Sequence, residues 1–323
     1  MKEYKIEANQ ENKTLFKFLK MVLPKAPDSF IHKMLRKKNI KLNTKKADGS
    51  EKLKIDDIVN IYLSDETFSG FQTASDIISN TISEYENAYK KFTDIDVVFE
   101  NDEIVVMYKP AGILSQKAKP GDLSLNEWMI GYFLSKGIIS TDSLKTFKPS
   151  ILNRLDRNTK GLVIGAKTLK ASQEVSLHIK NRTITKLYQA KVVGCVDSKL
   201  VLEGYLIKDE KNNKVSIFKN KPQNIDSSYI KTIIIPKNYD KGISLVDIDL
   251  VTGKTHQIRA HLASVGYPIL GDPKYGNQQI NKKYSIREQE LTAYRLEFPI
   301  DIKIDSLKGL VVDLNGYVEK QRT

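Results

Sequence analysis

The chain has 323 residues, 40% of them hydrophobic, and its 52 Lys and Arg against 39 Asp and Glu give a formal net charge of +13. This length is sufficient for a core of ordinary size and suggests two domains, and the charge favours a polyanionic partner, either nucleic acid or an anionic membrane face, over a merely soluble basic protein. The single cysteine, Cys195, excludes intramolecular disulfides and thiolate metal clusters, which fits a reducing cytoplasm.

The first unit of the chain, residues 1 to 65, is predicted to contain two helices and two strands. Large apolar residues recur at helical spacing from Leu15 to Leu23 and again within Ser29 to Lys38. A strand, a turn and a closing strand are predicted next, at Asn39 to Asn43, Ala47 to Ser50 and Ile58 to Leu63. The N-terminus lacks an apolar run of signal-peptide length, and no apolar run in the chain approaches the ~20 residues of a membrane helix. We therefore expect a protein that is neither secreted nor membrane-spanning.

Positive charge is concentrated in this first unit. Its fifteen Lys and Arg against nine Asp and Glu leave +6, about half of the excess of the whole chain. Part of that charge lies on the second predicted helix, where the candidate RNA-binding residues are Lys33, Arg36, Lys37 and Lys38. Residues 66 to 94 are rich in Ser, Thr, Asn and Glu and slightly acidic, which predicts a linker that is partly helical.

From residue 95 to 323 the pattern is rich in strands. Short β-branched runs separated by polar turns predict strands at Val97 to Phe99, Ile104 to Met107, Leu162 to Ala166, Tyr188 to Val193, Ile230 to Ile235 and Ser244 to Leu250. Helices are predicted at Leu125 to Leu134 and Leu169 to Ile179. Strands this numerous, joined by short turns, favour an α+β domain with a mainly antiparallel sheet over a doubly wound parallel one.

One carboxylate in this second unit, Asp156, lies between two arginines. The segment Asn153 to Leu162 reads Asn-Arg-Leu-Asp-Arg-Asn-Thr-Lys-Gly-Leu, and the charges of Arg154 and Arg157 favour the ionised form of the aspartate. An ionised carboxylate suits a nucleophile better than a general acid. The alternative interpretation is a surface turn, in which Asp, Asn, Thr and Gly serve chain reversal ahead of a strand.

Further segments of the second unit decide between these interpretations. They are Tyr-Lys-Pro-Ala-Gly from Tyr108, Lys-Leu-Tyr from Lys186, Gly-Lys-Thr-His-Gln-Ile-Arg-Ala-His-Leu from Gly253, and Gly-Asp-Pro-Lys-Tyr-Gly from Gly271. Together with the Asp156 segment they resemble the RluA-type family of RNA pseudouridine synthases, over residues 95 to 323. Residues 1 to 65 resemble, by pattern more than by motif, the small αL-type RNA-binding domain shared with a ribosomal small-subunit protein, which often precedes this catalytic domain.

The resemblance implies that Asp156 is the catalytic aspartate, that Tyr188 packs against the target base and that Arg259 pairs with the aspartate. The isomerisation breaks the N1 to C1′ bond of uridine and rejoins the uracil through C5, and a carboxylate can assist it as a nucleophile or as a base, without a cofactor. The target base has to leave its stack and enter a pocket. Arg154 and Arg157 are placed to contact phosphates or to fill the gap left by the base, or they only balance charge on a turn.

Several other features receive a structural interpretation. The family often has His at the position of Asn153 and Ser at that of Lys160, and neither difference removes a group that the reaction needs. The glycine that a phosphate-binding loop requires before Gly253 is absent, so nucleotide hydrolysis is not expected. The segment from Lys109 to Gly112 is interpreted as a turn. The four histidines are a poor metal set, we expect no metal, and His256 and His261 are interpreted as orienting the fold by hydrogen bonds.

The leading hypothesis is a cytoplasmic, monomeric RNA pseudouridine synthase that acts on large-subunit ribosomal RNA, with the first unit adding affinity through phosphate contacts. Transfer RNA is the alternative substrate within the family. From another class, the alternative is a non-catalytic RNA-binding or ribosome-assembly factor. A glycosidase or nucleosidase is a weaker alternative, because no second acid is found in a matching segment.

Overall fold

The computed structural model describes residues 1–7, 10–71 and 75–320. The first unit folds as two helices against a small antiparallel sheet with strand order β1-β4-β2-β3. Its elements in chain order are β1 (Lys2–Lys5), α1 (Leu15–Val22), α2 (Asp28–Arg36), β2 (Ile40–Leu42), β3 (Lys45–Lys46) and β4 (Ile58–Ile61).

The two predicted helices are confirmed, because their apolar residues form one buried stripe each. Thr14 caps the first turn of α1 by accepting a hydrogen bond from the Lys17 amide. The apolar stripes of the two helices pack on Ile40 and Ile61 of the sheet. They form a hydrophobic core that is separate from the cores of the second unit. The buried residues of the two helices are Leu15, Phe18, Leu19, Val22, Ile31, Met34 and Leu35.

The sequence-based prediction missed two strands of this unit and the turn between β2 and β3. β1 and β3 are short and largely charged, so they give no apolar alternation. The tight turn between β2 and β3, which was not predicted, lies at Asn43 and Thr44, which both have positive φ. An asparagine accepts this backbone conformation more readily than most residues, and that was the signal for the turn. At the predicted turn, Ala47 to Ser50, the chain bends at Gly49, whose φ is also positive.

The segment predicted as a linker, residues 66–94, is largely helical. It contains most of α3 (Asp65–Gly70) and all of α4 (Ser75–Lys91). Tyr85 and Ala88 of α4 are buried in the same core as the next helix, α5 (Leu125–Ser135). The two helices approach so closely that a Cβ on Gly131 would lie 2.2 Å from the Tyr85 carbonyl oxygen. The second half of this segment is therefore packed against the second unit.

The second unit is built on one large sheet with strand order β10-β9-β11-β12-β8-β13-β7-β6-β5, extended beside β13 by β14 and β15. Its pairs are antiparallel except β13 with β7, which confirms the α+β class with a mainly antiparallel sheet. The strands are β5 (Asp96–Glu100), β6 (Ile104–Lys109), β7 (Lys160–Ala166), β8 (Thr185–Val193), β9 (Leu200–Asp209), β10 (Lys214–Phe218), β11 (Ser228–Asp240), β12 (Ile243–Asp249), β13 (Leu291–Glu297), β14 (Leu310–Asp313) and β15 (Tyr317–Lys320).

The six strands and two helices predicted here are confirmed, whereas β9, β10, β13, β14 and β15 were not predicted. The remaining helices are α6 (Leu169–Asn181), α7 (Gln257–Ser264) and α8 (Gln278–Lys283). Both faces of the central strands are covered: Val105 and Met107 of β6 face the core that contains α4 and α5, while Ile104 and Val106 face the core that contains residues of α6. The functional cleft lies where β8, α7 and the loop before β7 meet.

Candidate active site

A cleft of about 690 Å³ opens at this junction. Among the described residues that line it, Asp156 is the only carboxylate, and the others that carry charge are Lys117, Arg154, Arg157, Lys186, Lys254, Arg259 and Lys274. A concave site with this excess of cations attracts a polyanion and holds a single negative charge inside it.

The loop that carries Asp156 is fixed by hydrogen bonds on the two residues Asn153 and Leu155 that precede the aspartate. The Asn153 side chain accepts a bond from the Ile164 amide and donates one to the Leu162 carbonyl oxygen, so it joins the loop to β7. The Ser115 hydroxyl donates to the Leu155 carbonyl oxygen and accepts from the Leu155 amide. Asn153, where the family often has His, therefore has a structural role in this chain.

Lys109 also holds the loop that carries Asp156, through a hydrogen bond to its backbone. Its side chain is fully buried, and Nζ donates to the carbonyl oxygens of Pro110, Ile113 and Arg157 at 2.9, 2.9 and 3.1 Å. Burial lowers the pKa of Lys109 to about 7, against the opposing effect of the Asp156 charge. The three carbonyl contacts support the interpretation of Lys109 to Gly112 as a structural turn.

Arg259 joins Asp156 to a second carboxylate, Asp272. From α7, its Nη1 donates to Oδ2 of Asp156 at 2.9 Å, while Nε and Nη2 donate to the two oxygens of Asp272 at 2.7 and 2.9 Å. Burial lowers the pKa of Arg259, but the hydrogen bonds and charge of Asp272 outweigh this and raise it overall. The expected pairing of Arg259 with Asp156 is confirmed.

The flanking arginines do not pair with Asp156 in the described part of the chain. Arg154 and Arg157 are both exposed, and Nε of Arg157 donates to the Gly112 carbonyl oxygen at 2.9 Å. Adjacency in the sequence therefore does not make either arginine an ion-pair partner of Asp156 in the described residues. The charge that faces Asp156 comes from α7, 103 residues further along the chain.

Asp272 is the residue that sequence reasoning missed. It is fully buried, and its Oδ1 also accepts the amides of Lys274 and Tyr275. Burial raises the pKa of Asp272, but the hydrogen bonds from Arg259 outweigh this and lower it overall. The sequence did contain a signal for Asp272. A buried arginine needs more acceptors than the one partly exposed Asp156 supplies, and the segment from Gly271 contains a second carboxylate.

Two further side chains complete the surroundings of Asp156. The Tyr275 hydroxyl accepts a bond from the Val215 amide and lies 3.0 Å from Nδ1 of His256, whose Nε2 is 3.8 Å from Asp156 Oδ2. The Arg259 guanidinium lies 5.3 Å from the centre of the Tyr275 ring. Burial lowers the pKa of His256, so the neutral imidazole is favoured. The neighbouring His261 bonds to Thr232 at 3.1 Å, outside the cleft.

Tyr188 projects into the same cleft from β8 and is buried. Burial and then the Asp156 charge raise the pKa of its hydroxyl, so the phenol keeps its proton at neutral pH. The structure thus brings Asp156, Tyr188 and Arg259 together and places Arg154 and Arg157 along the cleft. Lys33, Arg36, Lys37 and Lys38 lie elsewhere, exposed at the end of α2.

In the described residues no cluster of three or more His, Cys, Asp or Glu has a geometry that could hold a metal ion. Within the same residues, the helices are all too short or too polar to cross a membrane.

The model of the family described as RNA pseudouridylate synthase matches residues 103–264. An uncharacterized RNA pseudouridine synthase of Mycoplasma genitalium is 32% identical over 302 residues, which cover 92% of this chain and 89% of that protein. The ribosomal large subunit pseudouridine synthase C of Rickettsia conorii is 30% identical over 275 residues, 82% and 83% of the two chains. The human RNA pseudouridylate synthase domain containing 4 shares the fold, with a TM-score of 0.54 at 19% identity over 75% of this chain and 94% of the human one.

Proposed function

The chain belongs to the RNA pseudouridine synthase family of isomerases, and on this premise we propose that it converts uridines of large-subunit ribosomal RNA to pseudouridine, with Asp156 as the catalytic carboxylate. The observation that carries the site assignment is the contact between Asp156 and the buried Arg259 in a cation-lined cleft that also contains Tyr188. The ribosomal substrate is supported by the Rickettsia relative, whose name states it.

The reaction requires a carboxylate that is charged, oriented and accessible. Oδ2 of Asp156 is held by Arg259, while Oδ1 accepts no hydrogen bond from any described residue and is therefore available to the nucleotide. As the N1 to C1′ bond breaks, the carboxylate stabilises the sugar or adds to the base; C5 then bonds to C1′, the C5 proton leaves and N1 gains a proton. The substrate and the product have the same composition.

Arg259 controls this carboxylate without leaving an excess of positive charge. Its bidentate contact with Asp272 fixes the guanidinium plane, and the remaining Nη1 points to Asp156. The group Asp156, Arg259 and Asp272 carries a net charge of −1 when both carboxylates are ionised. A lysine in place of Arg259 could not make both contacts in one plane.

Tyr188 provides the surface on which the extruded uracil stacks. Its ring lies in the cleft beside Asp156, and its protonated hydroxyl is a donor for a uracil carbonyl oxygen. Stacking and edge hydrogen bonds offset the few kcal/mol that extrusion of the base costs.

The first unit is proposed to anchor the RNA. Residues 1–65 form the RNA-binding domain in this proposal, and residues 95–323 the catalytic domain. The end of α2 presents four exposed cations on one short stretch, which suits contacts with successive phosphates: Lys33, Arg36, Lys37 and Lys38.

The proposal is tested by mapping pseudouridines in ribosomal and transfer RNA from cells with and without the protein. We expect at least one pseudouridine of large-subunit ribosomal RNA to disappear without it. Loss confined to transfer RNA would replace the substrate assignment, and no loss in either RNA would contradict it. Release of tritium from RNA labelled at uracil C5 by the purified protein then shows that the isomerisation is its own.

A further inference from the structure

One lysine of the cleft has no partner that explains its position. The Lys186 side chain lies mostly below the surface, lines the cleft, and makes no hydrogen bond or ion pair with any described residue. Two other lysines near Asp156 contrast with it, since Lys109 donates to three carbonyl oxygens and Lys274 to that of Asn213, whereas Lys254 and Arg154 are exposed to solvent. A partly buried ammonium with three free donors is costly unless a ligand supplies the acceptor.

The surroundings of this amine favour an anion. Burial and the charge of Arg182 both lower the pKa of Lys186, so a negative group beside it restores the charged form. Asp156 does not serve that purpose, because its contacts are with Arg259 and His256. A Cβ built on Gly253 would lie 3.9 Å from Nζ of Lys186, and its absence leaves space beside the amine.

The strand geometry sets the distance between this amine and the proposed base site. Lys186 and Tyr188 are two residues apart on β8, so they point to the same face and their Cα atoms are separated by ~7 Å along the strand. This is comparable to the separation of the base and a phosphate within one nucleotide. If uracil stacks on Tyr188, the backbone of the same nucleotide passes Lys186.

We propose that Lys186 forms a phosphate-binding subsite for one of the two phosphates that flank the extruded uridine. The subsite rests on the proposed function, because it places the uracil of that nucleotide on Tyr188. The contact fixes the nucleotide in the cleft after its base has left the stack, so its effect falls on binding of the extruded state and not on RNA affinity in general.

The test combines substitutions of Lys186 with neutral phosphate analogues. The probe is a synthetic RNA hairpin centred on the uridine that the mapping identifies, made also with a methylphosphonate 5′ to that uridine, 3′ to it, or two nucleotides away. Wild type, Lys186→Met, Lys186→Gln and Lys186→Arg are compared. Lys180→Met removes an exposed lysine of α6 that does not line the cleft, and serves as the control.

We expect Lys186→Met and Lys186→Gln to raise KM about tenfold, the effect of one charge-assisted hydrogen bond, and Lys186→Arg to restore most of the loss. In wild type and in Lys180→Met, a methylphosphonate at one of the two flanking positions should raise KM by the same factor. In Lys186→Met the same analogue should not raise KM further. The distant methylphosphonate should affect all variants equally.

The subsite would be overturned if, at both flanking positions, the methylphosphonate raised the KM of Lys186→Met by the same factor as the KM of wild type. An unchanged KM in both neutral variants would also overturn it. Circular dichroism confirms that each variant is folded, and Lys186→Arg retains the charge if the neutral variants fail to fold. Failure of the proposed function has a different signature, because wild type then releases no tritium from the unmodified hairpin. The two proposals are thus tested separately.

Discussion

At the scale of single residues, the site depends on a charge that only one side chain supplies. Asp156 is 24% exposed and is the only carboxylate among the described residues of the cleft. We predict that Asp156→Asn lowers turnover by at least about a thousandfold, because an amide is neither a nucleophile nor a base here. Tritium release measures turnover, and filter binding should show RNA affinity within about threefold of wild type. Residual turnover near the wild-type rate would exclude the assigned role.

The second carboxylate of the group has a different predicted effect. Asp272→Asn leaves the buried Arg259 with a single charged partner, so the free energy of unfolding should fall by about 3–5 kcal/mol and kcat should fall with it. Urea denaturation measures the stability. Asp156→Asn, which removes the more exposed carboxylate from the same arginine, is the control and should cost less. Equal losses in the two variants would show that Asp272 does not hold Arg259 in place.

His261 gives the protein a pH-dependent stability. This residue of α7 is buried beside Thr232 of β11, and burial lowers its pKa from 6.5 to about 4. Between these two values the unfolded chain binds a proton that the folded chain does not, so stability falls as the pH falls from 6.5 towards 4. His261→Asn should weaken this dependence, as measured by urea denaturation at several pH values. An unchanged slope in the variant would assign the dependence to other groups.

At the scale of elements, the contact between α4 and α5 explains why residues 75–91 are more than a connection. Gly131 allows the two helices to approach, and any side chain there meets the backbone of α4 at Tyr85. We predict that Gly131→Ala destabilises the protein by about 1–3 kcal/mol, although alanine is the better helix former.

The control for this substitution is Gly70→Ala in α3, where an added Cβ meets nothing within 4 Å. Thermal unfolding followed by circular dichroism should show a lower midpoint for Gly131→Ala and no decrease for Gly70→Ala. Equal midpoints would mean that α4 is not packed as described.

At the scale of the whole molecule, the two units are joined by more than the chain. The Gln10 side-chain amide donates to the Thr146 hydroxyl at 2.7 Å, and Lys13 donates to the Thr146 carbonyl oxygen. Burial at this junction lowers the pKa of Lys13 to about 8. These contacts give the first unit a defined position beside the catalytic unit, so under the proposed function any phosphates bound by the first unit lie at a set distance from the cleft.

The salt dependence of RNA affinity tests whether the first unit anchors the RNA. We predict that replacing the four cations at and just beyond the C-terminal end of α2 by glutamine reduces the magnitude of the slope of log affinity against log salt by up to about 3, because each lost phosphate contact releases one counterion fewer. The residues are Lys33, Arg36, Lys37 and Lys38. A control with the same loss of charge replaces four exposed lysines of the helices α4 and α6, namely Lys90, Lys91, Lys170 and Lys180. The same slope in both variants would exclude a specific anchor.

The sequence by itself determined much of the local structure and the family, and it indicated the residues of the proposed site. Apolar periodicity located α1, α2, α5, α6 and six strands of the large sheet, because an element that buries one face shows this in the spacing of its own apolar residues. The segments around Asp156, Tyr188 and Arg259 indicated the family, whereas α7 and α8 were not predicted. Charged strands such as β1 and β3 gave no such pattern.

Only the tertiary structure showed how the charges around Asp156 are arranged. Arg154 and Arg157, its neighbours in the sequence, are exposed, whereas Arg259, which the family resemblance paired with Asp156, reaches it from 103 residues away and is itself held by Asp272. It also placed Lys186 in the cleft with no partner among the residues that the structure describes, and it packed α4 into the catalytic core. Electrostatic and packing interactions depend on distance in space, and the distance between residues far apart in the chain is set only when the sheet has formed.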